Sequence, residues 1–160
     1  MSFTKVTYGL GSLGLIPFIA GLILSARQHD ILGISGEAIF ITYSLAILCF
    51  LAGAVWGQVL KVQFSHAHQR ILIITNILVV IGWAAFLTSQ KFYVVSVTVL
   101  TLGFAGVFLL EFNLFKLSTT RQDRQYGRLR VILTGLVIAA HSGMLAVSYT
   151  HLTLPTTPYV

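Results

Sequence analysis

Five long apolar runs separated by short polar connections constrain this chain more than any other feature. They cover residues 8–24, 38–60, 71–88, 92–115 and 131–146. Each is close to the roughly 20 residues that a helix needs to cross about 30 Å of hydrocarbon. A closed barrel is the other way to satisfy backbone groups in lipid, but alternating strands of about 10 residues are missing from the pattern. The composition agrees: 56% of residues are hydrophobic and 9% charged, against about 25% charged in a soluble domain. So few polar side chains cannot cover a globule in water. The expected fold is all-α: one integral membrane bundle of five transmembrane helices over residues 1–146.

The charges lie in the connections. The net charge is +6, yet no soluble element carries a basic face, so nucleic acid is not an expected partner. Lys5, Lys61, Arg70, Lys116, Arg121, Arg124, Arg128 and Arg130 fall on one side of the five runs, and Arg27 and Lys91 on the other. The positive-inside bias then predicts a cytoplasmic amino terminus and an external carboxyl end. The first run resembles a signal peptide in position only. Leu24 stands where a small residue would be needed three positions before a cut at Ala26, and Pro17 interrupts the apolar core, so an uncleaved anchor is expected. Cys49 is the only cysteine, which excludes an intrachain disulfide. Residues 147–160 read differently. The stretch Val147-Ser148-Tyr149-Thr150-His151-Leu152-Thr153-Leu154-Pro155-Thr156 looks like a translated sequencing adapter, so this tail is expected to be non-native, with no role for His151 or Tyr159.

Several motifs carry chemistry elsewhere and must be weighed here. Gly9-Leu10-Gly11-Ser12-Leu13-Gly14, with Asp30 downstream, has dinucleotide-binding spacing, but that chemistry needs a preceding strand. Small residues that admit a neighbouring helix account for it better, Gly14 among them. Gly53 and Gly57, one turn apart around Trp56, form a small-xxx-small pair after Ala46 and Cys49. Packing inside the bundle is expected, with a homodimer seam as the alternative. Pro17 frees a backbone carbonyl and should kink the first helix.

Glu111 is the one acidic residue within a run. It lies roughly 10 Å from the midplane at 1.5 Å per residue, or about 5 Å inside the membrane edge. Arg128 and Arg130 enter the last helix at the same level, so an ion pair joining the fourth and fifth helices is expected. A proton- or cation-handling carboxylate, with Asn113 nearby, is the alternative. His66 and His68 share a loop without a third ligand, while His29 lies on the opposite side, so no metal is implied. His141, within the fifth run, suits a hydrogen bond to another helix; haem ligation would need a second ligand that cannot be placed. Tyr43, Trp56, Trp83, Tyr93 and Tyr126 are read as interfacial anchors or helix contacts. No nucleophile–base pair, carboxylate dyad or phosphate loop is present, so no catalytic residue and no cofactor is assigned.

Leu13-Gly14-Leu15-Ile16-Pro17-Phe18 resembles a signature of a small membrane-protein family of unknown function. Tyr43-Ser44 and the segment Ile47-Leu48-Cys49-Phe50-Leu51-Ala52-Gly53-Ala54-Val55-Trp56-Gly57 resemble another. Tyr126-Gly127-Arg128-Leu129-Arg130, with Leu133-Thr134, is similar to the family's basic entry to its last helix, and Glu111 occupies its acidic position. The family takes in bacterial inner-membrane proteins and the mitochondrial transmembrane protein sixty-nine. The resemblance spans residues 8–146 and implies fold and localisation, but no activity. Three function classes follow: a non-catalytic accessory or assembly subunit of a membrane complex, a small oligomeric transporter or channel using Glu111, and a membrane enzyme or redox carrier. The expected partners are the lipid bilayer and another membrane protein or a second copy. The topology is testable: a reporter active only outside the cytoplasm, fused after Lys61, should be silent, and activity there would invert the orientation.

Overall fold

The structure is a computed structural model. It describes residues 3–61, 65–115 and 121–153, with side chains over 6–61, 65–114 and 126–150. Five stretches are long and apolar enough to cross a membrane: Val6–Arg27, Gly36–Val59, His66–Thr88, Tyr93–Leu114 and Tyr126–Thr150. The chain is thus a multi-pass membrane protein built as a helical bundle.

The first crossing is not one helix. α1 (Phe3–Leu13) and α2 (Ile16–Ala26) are separated by a turn at Gly14 and Leu15. Pro17 has no N–H to offer the carbonyl one turn before it, and its ring would clash there. It sits in the first turn of α2, where a missing N–H does no harm. The carbonyl of Gly14 accepts a hydrogen bond from the Tyr43 hydroxyl at 3.0 Å. A side chain from the next crossing therefore satisfies a backbone group that the break leaves open.

Two short strands, β1 (Asp30–Ile31) and β2 (Ile34–Ser35), form an antiparallel hairpin with Ile31 opposite Ile34. The polar connection expected here conceals them, because two-residue strands have no periodicity to read. Leu32 (φ +54°) and Gly33 (φ +76°) both occupy left-handed backbone, as a type I′ turn requires. The hairpin closes tightly onto α3 (Gly36–Val59). A Cβ at Gly36 would run into the Ser25 amide nitrogen and the Gly21 carbonyl. Only glycine allows α2 and α3 to meet this closely.

Capping sets two of the helix starts. The Ser35 hydroxyl accepts from the Ala38 amide at 3.2 Å, with Glu37 in the first turn of α3; the carboxylate there suits the positive end of the helix dipole. The Ser65 hydroxyl accepts from the His68 amide at 3.4 Å and starts α4 (His66–Thr88). This cap corrects the expected loop: His66 and His68 belong to the first turn of a helix. α5 (Tyr93–Phe115) and α6 (Arg121–Thr153) complete the bundle. α6 continues as one helix past residue 146, and buried Ser148 bonds the Met144 carbonyl at 2.9 Å.

α3 and α5 pack against each other in the middle. α4 lies against both on one side, while α2 and α6 close the other side and touch each other. Leu48 of α3 is fully buried where two glycines admit it: a Cβ at Gly82 of α4 would meet its Cδ2 at 2.9 Å, and one at Gly103 of α5 at 3.1 Å. Hydrogen bonds reinforce these contacts. Trp56 donates to Thr75 Oγ1 at 3.1 Å, Ser96 to the Ala85 carbonyl at 2.7 Å, and Tyr93 to the Glu37 carbonyl at 3.3 Å. Trp83 is exposed.

One packing expectation is overturned. Gly53 and Gly57 are exposed, and a Cβ at either would meet nothing within 4 Å. The reason is rotational: Leu48, Ala52, Val55 and Val59 face inward on α3, which turns both glycines, with Ala46 and Cys49, to the outside.

The hairpin yields a prediction. Leu32 is 96% exposed and gains nothing from burial, while left-handed backbone costs a non-glycine residue about 1–2 kcal/mol. Leu32→Asn should therefore raise stability by about 1 kcal/mol, read as a higher melting temperature in detergent. An unchanged or lower melting temperature would refute the assigned turn.

Candidate functional site

The inward stripe of α5 consists of Val97, Leu100, Phe104, Val107 and Glu111, spaced three and four residues apart as one helix face demands. Glu111 thus continues an apolar row into the basic end of the bundle, where Lys61, Arg70 and Arg128 also lie. On α6 the corresponding stripe is Arg130, Thr134, Val137, His141, Met144 and Ser148. The two rows meet, since α5 and α6 pack along their length. Glu111 and Arg130 are 1% and 6% exposed.

Arg130 donates to Glu111 Oε2 from Nε at 2.6 Å, and its Nη2 lies 2.5 Å from the same oxygen. Gln58 of α3 donates to the other oxygen, Oε1, at 3.2 Å. The Tyr126 side chain, one turn before Arg130, lies in the electrostatic surroundings of this carboxylate. Three helices therefore converge on one anion. Charge-assisted bonds of this kind are roughly twice as strong as neutral ones, and in a low-dielectric interior each also offsets the loss of water.

Of the two arginines expected near Glu111, the structure brings in Arg130 and leaves Arg128 exposed. At 100° per residue, two positions place a side chain on nearly the opposite face. The same rotation separates Asn113 from Glu111: Asn113 is exposed, and its amide donates to the Leu109 carbonyl of its own helix at 3.0 Å. Gln58 escaped the sequence reading. Its neighbour Val59 is on the inward row, but only the rotation of α3 shows that Gln58 follows it toward α5.

His141 is fully buried and caged by Phe18, Phe40 and Phe104, whose ring centroids lie 5.7, 4.8 and 5.2 Å from its own. Its Nδ1 is 2.9 Å from the Val137 carbonyl, one turn back in the same helix, so Nδ1 takes the proton and Nε2 is bare. Nε2 has no partner among the described residues. The expected bond from His141 to another helix is replaced by a bond within its own helix, because three aromatic rings occupy the space around the imidazole.

A crevice of about 140 Å³ adjoins the ion pair. Buried Phe18, Phe104 and Val137 form its floor, and exposed Leu10 and Phe50 stand at its rim. Gly14 and Leu15, the break in the first crossing, line it, and so does Arg130. A second hollow, of about 330 Å³, lies by the hairpin at the opposite end and is lined by polar groups that include His29, Asp30 and Glu37.

The energetics of the pair are testable. Removing one partner leaves a buried charge uncompensated, at about 3–5 kcal/mol. Glu111→Ala should therefore lower stability strongly in a detergent melt. Adding Arg130→Met to it should recover part of the loss, because an apolar side chain replaces the stranded charge. Equal stability for the single variant and the wild-type protein would show that the pair does not hold α5 to α6.

Neither a curated protein nor a solved structure matches this chain. A family model described as protein of unknown function (DUF3429) matches residues 3–146. That match takes in the broken first crossing, the Glu111–Arg130 pair and the greater part of α6, and the chain belongs to this family of proteins of unknown function.

Proposed function

We propose that this protein is a non-catalytic accessory or assembly subunit of a membrane complex, resident in a bacterial cytoplasmic membrane with its amino terminus in the cytoplasm. On the same reading it is a bacterial relative of the mitochondrial transmembrane protein sixty-nine.

The observation that carries the proposal is the fate of Glu111. A carboxylate that handles protons or cations must exchange them with water or with a substrate. Here both oxygens are engaged by donors from α3 and α6, and the side chain is 1% exposed. Such a carboxylate ties helices together. The outward face of α3 adds support, for Gly53 and Gly57 are exposed there with open space where a Cβ would stand. Helices that associate in a membrane use small residues of this kind to bring their backbones close. The connections between crossings are short, which leaves little surface for a soluble active site.

The test is mass-resolved size exclusion of the tagged protein in mild detergent, with co-eluting proteins identified. A stoichiometric membrane partner is expected. Gly53→Leu combined with Gly57→Leu should release it without lowering the melting temperature, since neither position packs inside the bundle. A homo-oligomer that takes up a solute with protons, and stops doing so in Glu111→Gln, would overturn the proposal in favour of transport.

A further inference from the structure

We propose that the crevice between the first crossing and α3, α5 and α6 is a binding site for one anionic phospholipid. Its acyl chain lies on the apolar floor and its phosphate meets Arg130. This inference is independent of the accessory role and would hold for a transporter equally well.

Three observations combine. The crevice is apolar over most of its length and opens sideways, with buried Phe18 and Phe104 below and exposed Leu10 and Phe50 at its edge. It follows α6 from Arg130 to Val137, roughly 10 Å at 1.5 Å per residue, and so reaches from near the basic end about a third of the way across the hydrocarbon. Lipid chains are the solvent at that depth, and a groove with this opening is wetted by them.

Charge is the second observation. Glu111 engages Nε and Nη2 of Arg130. Nη1, the remaining arm of the fork, has no partner among the described residues. Arg130 is more than nine-tenths buried, and it lines the crevice. A guanidinium carries its donors in a fixed plane, so one edge can hold a carboxylate while the other arm is offered to a phosphate oxygen. The surrounding end of the bundle is basic as well. Exposed Lys61, Arg70 and Arg128 draw anionic headgroups to that surface.

The helix break is the third. Irregular backbone at membrane depth is tolerated where it is buried in protein or borders a cavity. Gly14 and Leu15 border this one, and the Gly14 carbonyl is already satisfied by Tyr43. The break therefore presents the crevice with a satisfied, low-relief wall against which a chain can lie.

Native mass spectrometry of the intact protein, released from detergent carrying equal amounts of phosphatidylglycerol and phosphatidylcholine, tests the site. One phosphatidylglycerol should be retained per chain, at least tenfold in preference to phosphatidylcholine. Leu133→Trp, which fills the crevice from α6 and leaves Glu111 and Arg130 in place, should abolish retention; because Leu133 also packs on Gly11 of α1, folded, monodisperse elution of the variant is the control. Arg130→Lys keeps a positive charge beside Glu111 but loses the free arm, so it should bind lipid with the preference reduced severalfold. Retention unchanged in both variants would overturn the site. So would a dimer that Leu133→Trp dissociates, which would make the crevice a contact between copies, or an adduct of fatty-acid mass in place of the phospholipid.

Discussion

Between two helices surrounded by lipid there is no hydrophobic force, because lipid tails are as apolar as leucine. Everything that holds this bundle together must come from close approach or from polar groups that prefer each other to hydrocarbon. Both devices are visible, and both recur through the bundle. Toward the hairpin end, Gly36 against Ser25 and Leu48 between Gly82 and Gly103 bring backbones and side chains to contact distance. Toward the basic end, where the crevice lies, Glu111 draws Gln58 and Arg130 onto one carboxylate.

The same constraint explains what the serines and threonines do. Ser44, Thr101 and Ser148 return their hydroxyls to carbonyls of their own helices, which removes a donor from lipid without specifying a neighbour. Thr75 does this and also accepts from Trp56, and Ser96 reaches across to α4 as well. Only bonds of the second kind fix which helix lies beside which. Tyr43 belongs with them. Its bond to Gly14 ties the broken first crossing to α3 at the point where that crossing has least helical structure of its own.

Hydropathy made the number and order of crossings readable, because a run long enough to span hydrocarbon is its own signature. The approximate level of Glu111 and its pairing with the last helix were readable from position along the runs. Rotation was not. A helix that is apolar all round shows little difference between its inner and outer faces, so Gly53 and Gly57 read the same whether they meet a neighbour or lipid. Arg128 and Arg130 differ by two residues and nearly half a turn, and only the inward row of Thr134, Val137 and His141 distinguishes them. The hairpin at Asp30 to Ser35 was unreadable for another reason: its strands are too short to alternate, and an exposed leucine occupies a turn position usually given to asparagine or glycine.

The placement of the charged pair has a consequence for how such a chain enters a bilayer. A lone arginine or acidic residue in the middle of a crossing raises the cost of insertion by about 2.5–3.5 kcal/mol, somewhat less near the edge. α5 and α6 inserted singly would each carry such a charge, and both charges lie toward the basic end of the bundle. Brought in together as a hairpin, they present the lipid with a neutralised couple whose donors and acceptors face one another. Pairing thus favours entry of the two last crossings together over entry one by one, and Gln58 of an earlier crossing adds a further donor to the couple once all three have met.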